Sequence, residues 1–177
     1  MYQQYQKEKV LRRGLAGMLT LLLLTGCGCV GYRLGSTLPS DIRSIFIPIF
    51  ANLSGEPLVE FDLTNTTIEE FQRDGTLQIA RMDEADIVLR CTLTRISLDP
   101  LRYDRGDRST PNEYRLRLDV NYTLQRRSTR ERVSEGTVSG ETTFVFAGNL
   151  TLAKKNAIPR AAEDLAKNLV QAVVEVW

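Results

Sequence analysis

The stretch Tyr114-Arg115-Leu116-Arg117-Leu118-Asp119-Val120-Asn121-Tyr122-Thr123-Leu124 alternates without a break between apolar and polar side chains. Successive side chains of an extended strand point to opposite faces. The period of two therefore puts Tyr114, Leu116, Leu118, Val120, Tyr122 and Leu124 on one face, and Arg115, Arg117, Asp119, Asn121 and Thr123 on the other. A strand patterned this way belongs to an antiparallel sheet with one dry face and one wet face.

The flanking segments extend the same sheet. Ala85 to Leu98 alternates with Ile87, Leu89, Cys91 and Leu93 on one face, whereas Ile96 and Leu98 fall on the opposite parity. A change of face within one strand predicts a bulge or strong twist near Thr94 and Arg95. Val133 to Phe146 is a third long strand, joined through the charged turn around Ser128 to Arg130, so the three are expected to form an antiparallel meander. Upstream, Ser44 to Phe50 reads as a strand in which Pro48, lacking an N–H, predicts an edge or a bulge. Leu58 to Arg73 carries Phe61, Thr64, Ile68 and Phe71 at helical spacing, and Asp74-Gly75 stops it. A brief strand follows at Leu77 to Ala80. The chain closes on a helix with Ile158, Ala162, Leu165, Leu169, Val173 and Val176 at steps of three and four, which Pro159 either begins or kinks. This order predicts an α+β two-layer sandwich, a mostly antiparallel four-stranded sheet with two helices packed on one face.

The N-terminus carries a different kind of signal. Lys7, Lys9, Arg12 and Arg13 precede an uncharged run from Gly14 to Leu24, roughly half the ~20 residues needed to span a bilayer, and this is the layout of a secretory signal peptide. The run ends in Leu24-Thr25-Gly26-Cys27, the arrangement of a bacterial lipoprotein box. The thiol of Cys27 would accept a diacylglyceryl group as a thioether, and its amine, freed by cleavage, an N-acyl chain such as palmitate. Several chains on one residue make a stable anchor, since each buried methylene contributes about 0.8 kcal/mol. The expected organisation is a cleaved signal at residues 1–26 and one lipidated domain at 27–177. The alternative for Cys27 is an incidental cysteine after an ordinary signal peptide. Cys29 is a poorer acceptor, because Gly26 rather than Leu stands three residues before it.

Composition narrows the chemistry. The chain has 23 basic and 22 acidic side chains, and the signal takes four basic residues and Glu8, leaving 19 against 21. A near-neutral domain has no bulk attraction for nucleic acid. There is no histidine, which removes the commonest general base, the Ser-His-Asp and Cys-His pairs and the usual zinc ligand. No enzyme activity, metal or cofactor is expected beyond the lipid on Cys27. Glu69 with Glu70, or Asp83, Glu84 and Asp86, would be the carboxylates of a hydrolase, but adjacent acids point different ways and fix no acid–base spacing. Cys91 is expected to be a small buried hydrophobe, with a disulfide to Cys29 as the alternative in an oxidising compartment. The Asn-x-Ser/Thr triplets at Asn52, Asn65, Asn121 and Asn149 have no bearing in a chain with a bacterial lipobox.

The order of several short motifs resembles the LPS-assembly lipoprotein family LptE. They are Gly26-Cys27-Gly28, Tyr32-Arg33-Leu34, Leu38-Pro39 before Ile42 to Ile49, Asn112-Glu113-Tyr114-Arg115-Leu116 opening the long strand, and Leu152-Ala153-Lys154 ahead of the final helix. The resemblance implies an outer-membrane lipoprotein on the periplasmic side, which plugs and helps assemble an LptD-like β-barrel and assists lipopolysaccharide transport to the outer leaflet. Gly28 fits outer-membrane delivery, because the inner-membrane retention signal is an Asp there. A polar sheet face suits a polar barrel lumen, with Arg115 and Arg117 as the barrel-facing candidates or else merely in water. Lipopolysaccharide phosphates would call for guanidinium or ammonium groups. Arg102, Arg105 and Arg108, in the polar loop before Tyr114, and Lys154 and Lys155 are the candidates. The other reading of these charges is a solvated surface, with Asp99, Asp104 and Asp107 partly neutralising the Arg group. A generic envelope lipoprotein serving as a pilotin-like assembly factor is the alternative function.

Overall fold

The computed structural model describes residues 41–103, 111–146 and 148–175. The signal segment, Cys27, Cys29, Arg105, Arg108 and Val176 lie outside the described residues. The elements run β1 (Ser44–Phe46), β2 (Ala51–Asn52), α1 (Val59–Asp74), β3 (Gln78–Ile79), β4 (Ile87–Tyr103), β5 (Pro111–Arg126), β6 (Arg132–Val145) and α2 (Leu150–Val174).

The sheet has six strands rather than the expected four, in the order β3-β1-β4-β5-β6 with β2 also paired to β4. The meander β4–β5–β6 is antiparallel as expected, but β1 and β2 both run parallel to β4, and β3 parallel to β1. Pro48 is the physical reason for the split between β1 and β2, because it cannot donate to a ladder. Ile45 pairs with Ile87 before the break and Ala51 with Thr92 after it, so one interrupted edge lines β4. Asp86 fastens the start of this edge. Its carboxylate accepts from the backbone N–H of Arg43 (2.9 Å) and Ser44 (3.0 Å) and from the Ser44 hydroxyl (2.8 Å).

The expected bulge lies between Leu93, opposite Val120, and Arg95, opposite Asp119. Thr94 is the extra residue, and its hydroxyl donates to the Asp119 carbonyl at 2.9 Å. The insertion restores parity, so Ile96 and Leu98 face Leu118 and Leu116 on the inner side. Leu89, Leu93, Leu116, Leu118 and Leu124 are fully buried there. Each contributes about 1.5–3 kcal/mol relative to exposure.

Both helices join this core. α1 buries Val59, Leu63, Thr64, Thr67 and Phe71, which corrects the expected stripe: Phe61 is 47% exposed. Thr64 and Phe71 are buried and Ile68 packs against the core as expected, while Leu63 takes the place of Phe61; Leu58, at φ 72°, turns the chain at the helix start. Gly75, at φ 75°, ends the helix with its N–H on the Phe71 carbonyl, the conformation for which glycine is suited. α2 is longer than expected. Asn149 caps it by accepting from Leu152 N–H at 3.0 Å, so Leu152-Ala153-Lys154 belongs to its first turn and Pro159 lies inside it. Packing of α2 on β6 depends on Gly140, where a Cβ would stand 2.3 Å from the Leu165 nitrogen and 2.4 Å from the Ala161 oxygen.

Candidate functional site

With both helices on the inner side, the outer face of β4–β5–β6 is covered by no other element among the described residues. Its centre is Asp119, expected outward in water but only 7% exposed. The bulge at Thr94 brings Arg95 opposite it. One carboxylate oxygen accepts from Arg95 Nε (3.0 Å) and Nη2 (2.8 Å), the other from Arg117 Nε (2.9 Å) and Ser139 Oγ (2.9 Å). Burial pushes the Asp119 carboxyl up, but the bonds from Arg117, Arg95 and Ser139 together outweigh it and hold the group below the usual carboxylate range. Arg117 also donates to Ser139 at 2.9 Å. It is thus a structural partner of Asp119 as well as a surface cation.

Arg115 stands two residues along, on the same face. Its Nε is 3.7 Å from Glu141 and makes no hydrogen bond. The guanidinium is therefore held only by this long ion pair among the described residues, with its buried Nε an unused donor. At the far end of the sheet, Arg102 lies on β4 rather than in a loop, 3.4 Å from Glu113. Beside it Tyr114 stacks on Phe144 at 5.9 Å and meets the edge of Phe146 at 6.4 Å. Lys154 is ion-paired with Glu56, tying α2 to the segment before α1. Lys155 is exposed. The two lysines, adjacent in sequence, thus have different surroundings.

The pairing directions bring together a feature that alternation alone does not reveal. β2 and β4 end, β5 begins, β6 ends and both helices begin toward one end of the domain. Leu58 and Phe61 at the start of α1, Leu152 in the first turn of α2, Leu101 and Tyr103 at the end of β4 and Val145 at the end of β6 are exposed by 39% or more. A cleft of about 320 Å³ there is lined by Phe144 and Val145 of β6 and Leu152, Asn156 and Arg160 of α2. Apolar side chains gathered at one end, with charges around them, mark an interaction surface.

Three of the carboxylates weighed as acid–base pairs have other duties. Asp86 is fully engaged by Arg43 and Ser44, whose N–H groups are the main cause of its lowered pKa. Glu70 pairs with Arg73 and Asp83 with Arg81. No group of Cys, Asp or Glu among the described residues is arranged to hold a metal ion. Cys91 is free and buried, and its thiol is pushed up by desolvation. No helix among the described residues is long and apolar enough to cross a membrane.

The family model described as LptE, lipopolysaccharide-assembly, matches residues 42–173. Among solved structures, protein XCC0632 from Xanthomonas campestris is similar with a TM-score of 0.56 at 14% identity, over 78% of this chain and 87% of that one. The hypothetical protein CT253 from Chlamydia trachomatis gives 0.52 at 7% identity, over 75% and 95%. A minor lipoprotein from Acinetobacter baumannii gives 0.50 at 14%, over 77% and 93%. At these identities the likeness is one of fold. No curated protein sequence matches the chain.

Proposed function

The chain belongs to the LptE lipopolysaccharide-assembly family, and from that premise we propose that it is tethered to the outer membrane through lipid on Cys27 and plugs an LptD-like β-barrel. There it helps the barrel assemble and assists the passage of lipopolysaccharide. The observation that carries the reading is the uncovered outer face of β4–β5–β6, polar along its length and presenting the loosely held Arg115. Such a face is matched to the polar interior of a barrel. The apolar end around Leu58, Tyr103 and Leu152 supplies the second half of the fit, an area that gains by leaving water.

Lipopolysaccharide contact falls to cations that are not consumed by the fold. Lys155 and Arg102 serve, the first because it is exposed and the second because its only partner among the described residues is a long ion pair with Glu113. Arg105 and Arg108 belong to the same proposal. Lys154 is a weaker candidate, since Glu56 already neutralises it.

Co-purification with the barrel tests the plug. Arg115→Glu should reduce recovery of the complex while leaving the thermal midpoint of the domain unchanged, because surface changes shift folding by less than about 0.5 kcal/mol. Full recovery of the barrel with this variant would sink the assignment of the outer face. Arg117→Glu is the less informative variant, since it sets a second carboxylate against Asp119 and perturbs folding as well.

A further inference from the structure

At the end of the sheet away from the apolar surface, a cleft of about 840 Å³ is lined by Arg90, Arg126, Arg127 and Arg130, with Val88 and Asp83 among its other walls. We infer that this cleft is a binding site for a phosphoryl anion, either the headgroup of an anionic glycerophospholipid or a soluble phosphate. None of the described residues proposed for the barrel or for lipopolysaccharide lines it.

The turn between β5 and β6 builds the site. The Arg130 N–H bonds to the Arg126 carbonyl at 2.9 Å, and the Arg126 N–H bonds to the Glu131 carbonyl at 2.9 Å, which closes the turn tightly. Arg130 takes φ 58° to do so, an unusual conformation for a residue with a Cβ. Arg127 donates through Nε to the Ala85 carbonyl at 2.7 Å, which fixes the plane of its guanidinium and leaves the terminal nitrogens unassigned. Arg126 is anchored by Asp41 at 2.6 Å. Arg90, projecting from the outer face of β4, has no side-chain partner among the described residues, and neither has the Arg130 side chain.

Part of this charge is offset, because Asp41 pairs with Arg126 and Asp86 interacts with Arg127. Asp83 is the one acid lining the cleft, and it is 3.5 Å from Arg81, which does not line it. Glu135, two strands from Arg90 through Thr123, is held by Arg132 at 2.7 Å. Four guanidinium groups thus converge on one hollow, and two of them, Arg90 and Arg130, have no acidic partner among the described residues. Self-repulsion among them is relieved by an anion with several oxygens, and phosphate matches the guanidinium fork two bonds at a time. The volume lies in the range of small-ligand clefts.

The test uses the full chain in neutral maltoside micelles, titrated calorimetrically with inorganic pyrophosphate and, separately, with dihexanoyl phosphatidylglycerol and dihexanoyl phosphatidylcholine. Saturable binding of pyrophosphate, weakening as salt rises, is expected, with a loss of about tenfold in Arg90→Ala and in Arg130→Gly. Arg130→Gly removes the charge while relieving the positive φ, so its fold is preserved or improved, and a thermal melt verifies this. Binding of phosphatidylglycerol but not phosphatidylcholine identifies the lipid headgroup as the source. Binding of pyrophosphate alone identifies a soluble phosphate. No saturable binding of either anion, or a loss of less than about threefold in both variants, overturns the site. Barrel co-purification is unaffected in these variants, so this inference and the plug proposal fail separately.

Discussion

Asp119 shows most clearly how one residue's role is set by its surroundings. Its parity on β5 puts it on the wet face, and local sequence says no more than that. It is buried because Thr94 is inserted opposite it, which aims Arg95 at one carboxylate oxygen while Arg117 and Ser139 occupy the other. Asp119→Ala is expected to lower stability by about 1–3 kcal/mol, the range for hydrogen bonds to a charged group at a partly screened site, read as a lower urea midpoint at pH 7. The pH dependence has a definite sign. A carboxyl held below its ordinary value contributes fully above the unfolded value near ~4 and is lost as pH falls through the folded value. The urea midpoint should therefore stay level between pH 7 and about pH 5 and drop below about pH 4. Asp119→Asn should be weaker than the parent chain at pH 7 and converge on it in acid. Asp86, lowered mainly by the Arg43 N–H, adds to the same acid transition. Cys91 is legible at this scale from its place on the inner face of β4. Its buried, raised thiol should resist iodoacetamide at pH 8 until the chain is unfolded, and rapid labelling of the native domain at that position would contradict its burial.

Among the elements, the long ones announce themselves by a sustained period, β1 and β3 only as short apolar runs, and β2 not at all. The meander β4–β5–β6 follows from alternation sustained over many residues, and even its bulge is readable from the parity change after Leu93. β1, β2 and β3 are two or three residues long, too short for any period, and their parallel pairing with the rest is fixed by the α1 crossover. The face of α2 is legible from its period alone, since Ile158, Ala162, Leu165, Leu169 and Val173 are buried as expected. In α1 the first turn departs from the reading, with Leu63 buried and Phe61 exposed. Gly140 belongs to this scale because its value lies in the approach of two elements. Gly140→Ala places a Cβ against backbone atoms of α2 that cannot step aside without moving the helix. A loss of about 1–3 kcal/mol is expected, seen as a thermal midpoint several degrees lower. Gly75→Ala would instead act through backbone strain at φ 75°, with no clash at all.

Over the whole molecule, the topology sends the ends of β2, β4 and β6 and the starts of both helices in one direction, and exposed Leu58, Tyr103, Val145 and Leu152 lie on or beside those ends, whereas exposed Met82 lines the opposite cleft. Leu58→Ser together with Leu152→Ser should leave the urea midpoint almost unchanged, since both side chains are already more than half exposed. The same pair should reduce barrel recovery if that end is an interface. Lipid attachment is a separate lever. Cys27→Ala should release the chain from the thioether anchor, and barrel loading in such cells measures whether tethering is required or only raises the local concentration.

The sequence by itself determined the inner face of the meander, the bulge, the existence of both helices, the family and the expectation of a lipid on Cys27. Each of these rests on periodicity or on a contiguous motif, which are properties of neighbouring residues. The tertiary structure alone decided the parallel edge, the burial of Asp119, the engagement of Lys154 by Glu56, the apolar end and the convergence of Arg90 with Arg126, Arg127 and Arg130. Each of these joins residues far apart in the chain, and distance through the chain carries no information about distance in space until the strands are paired.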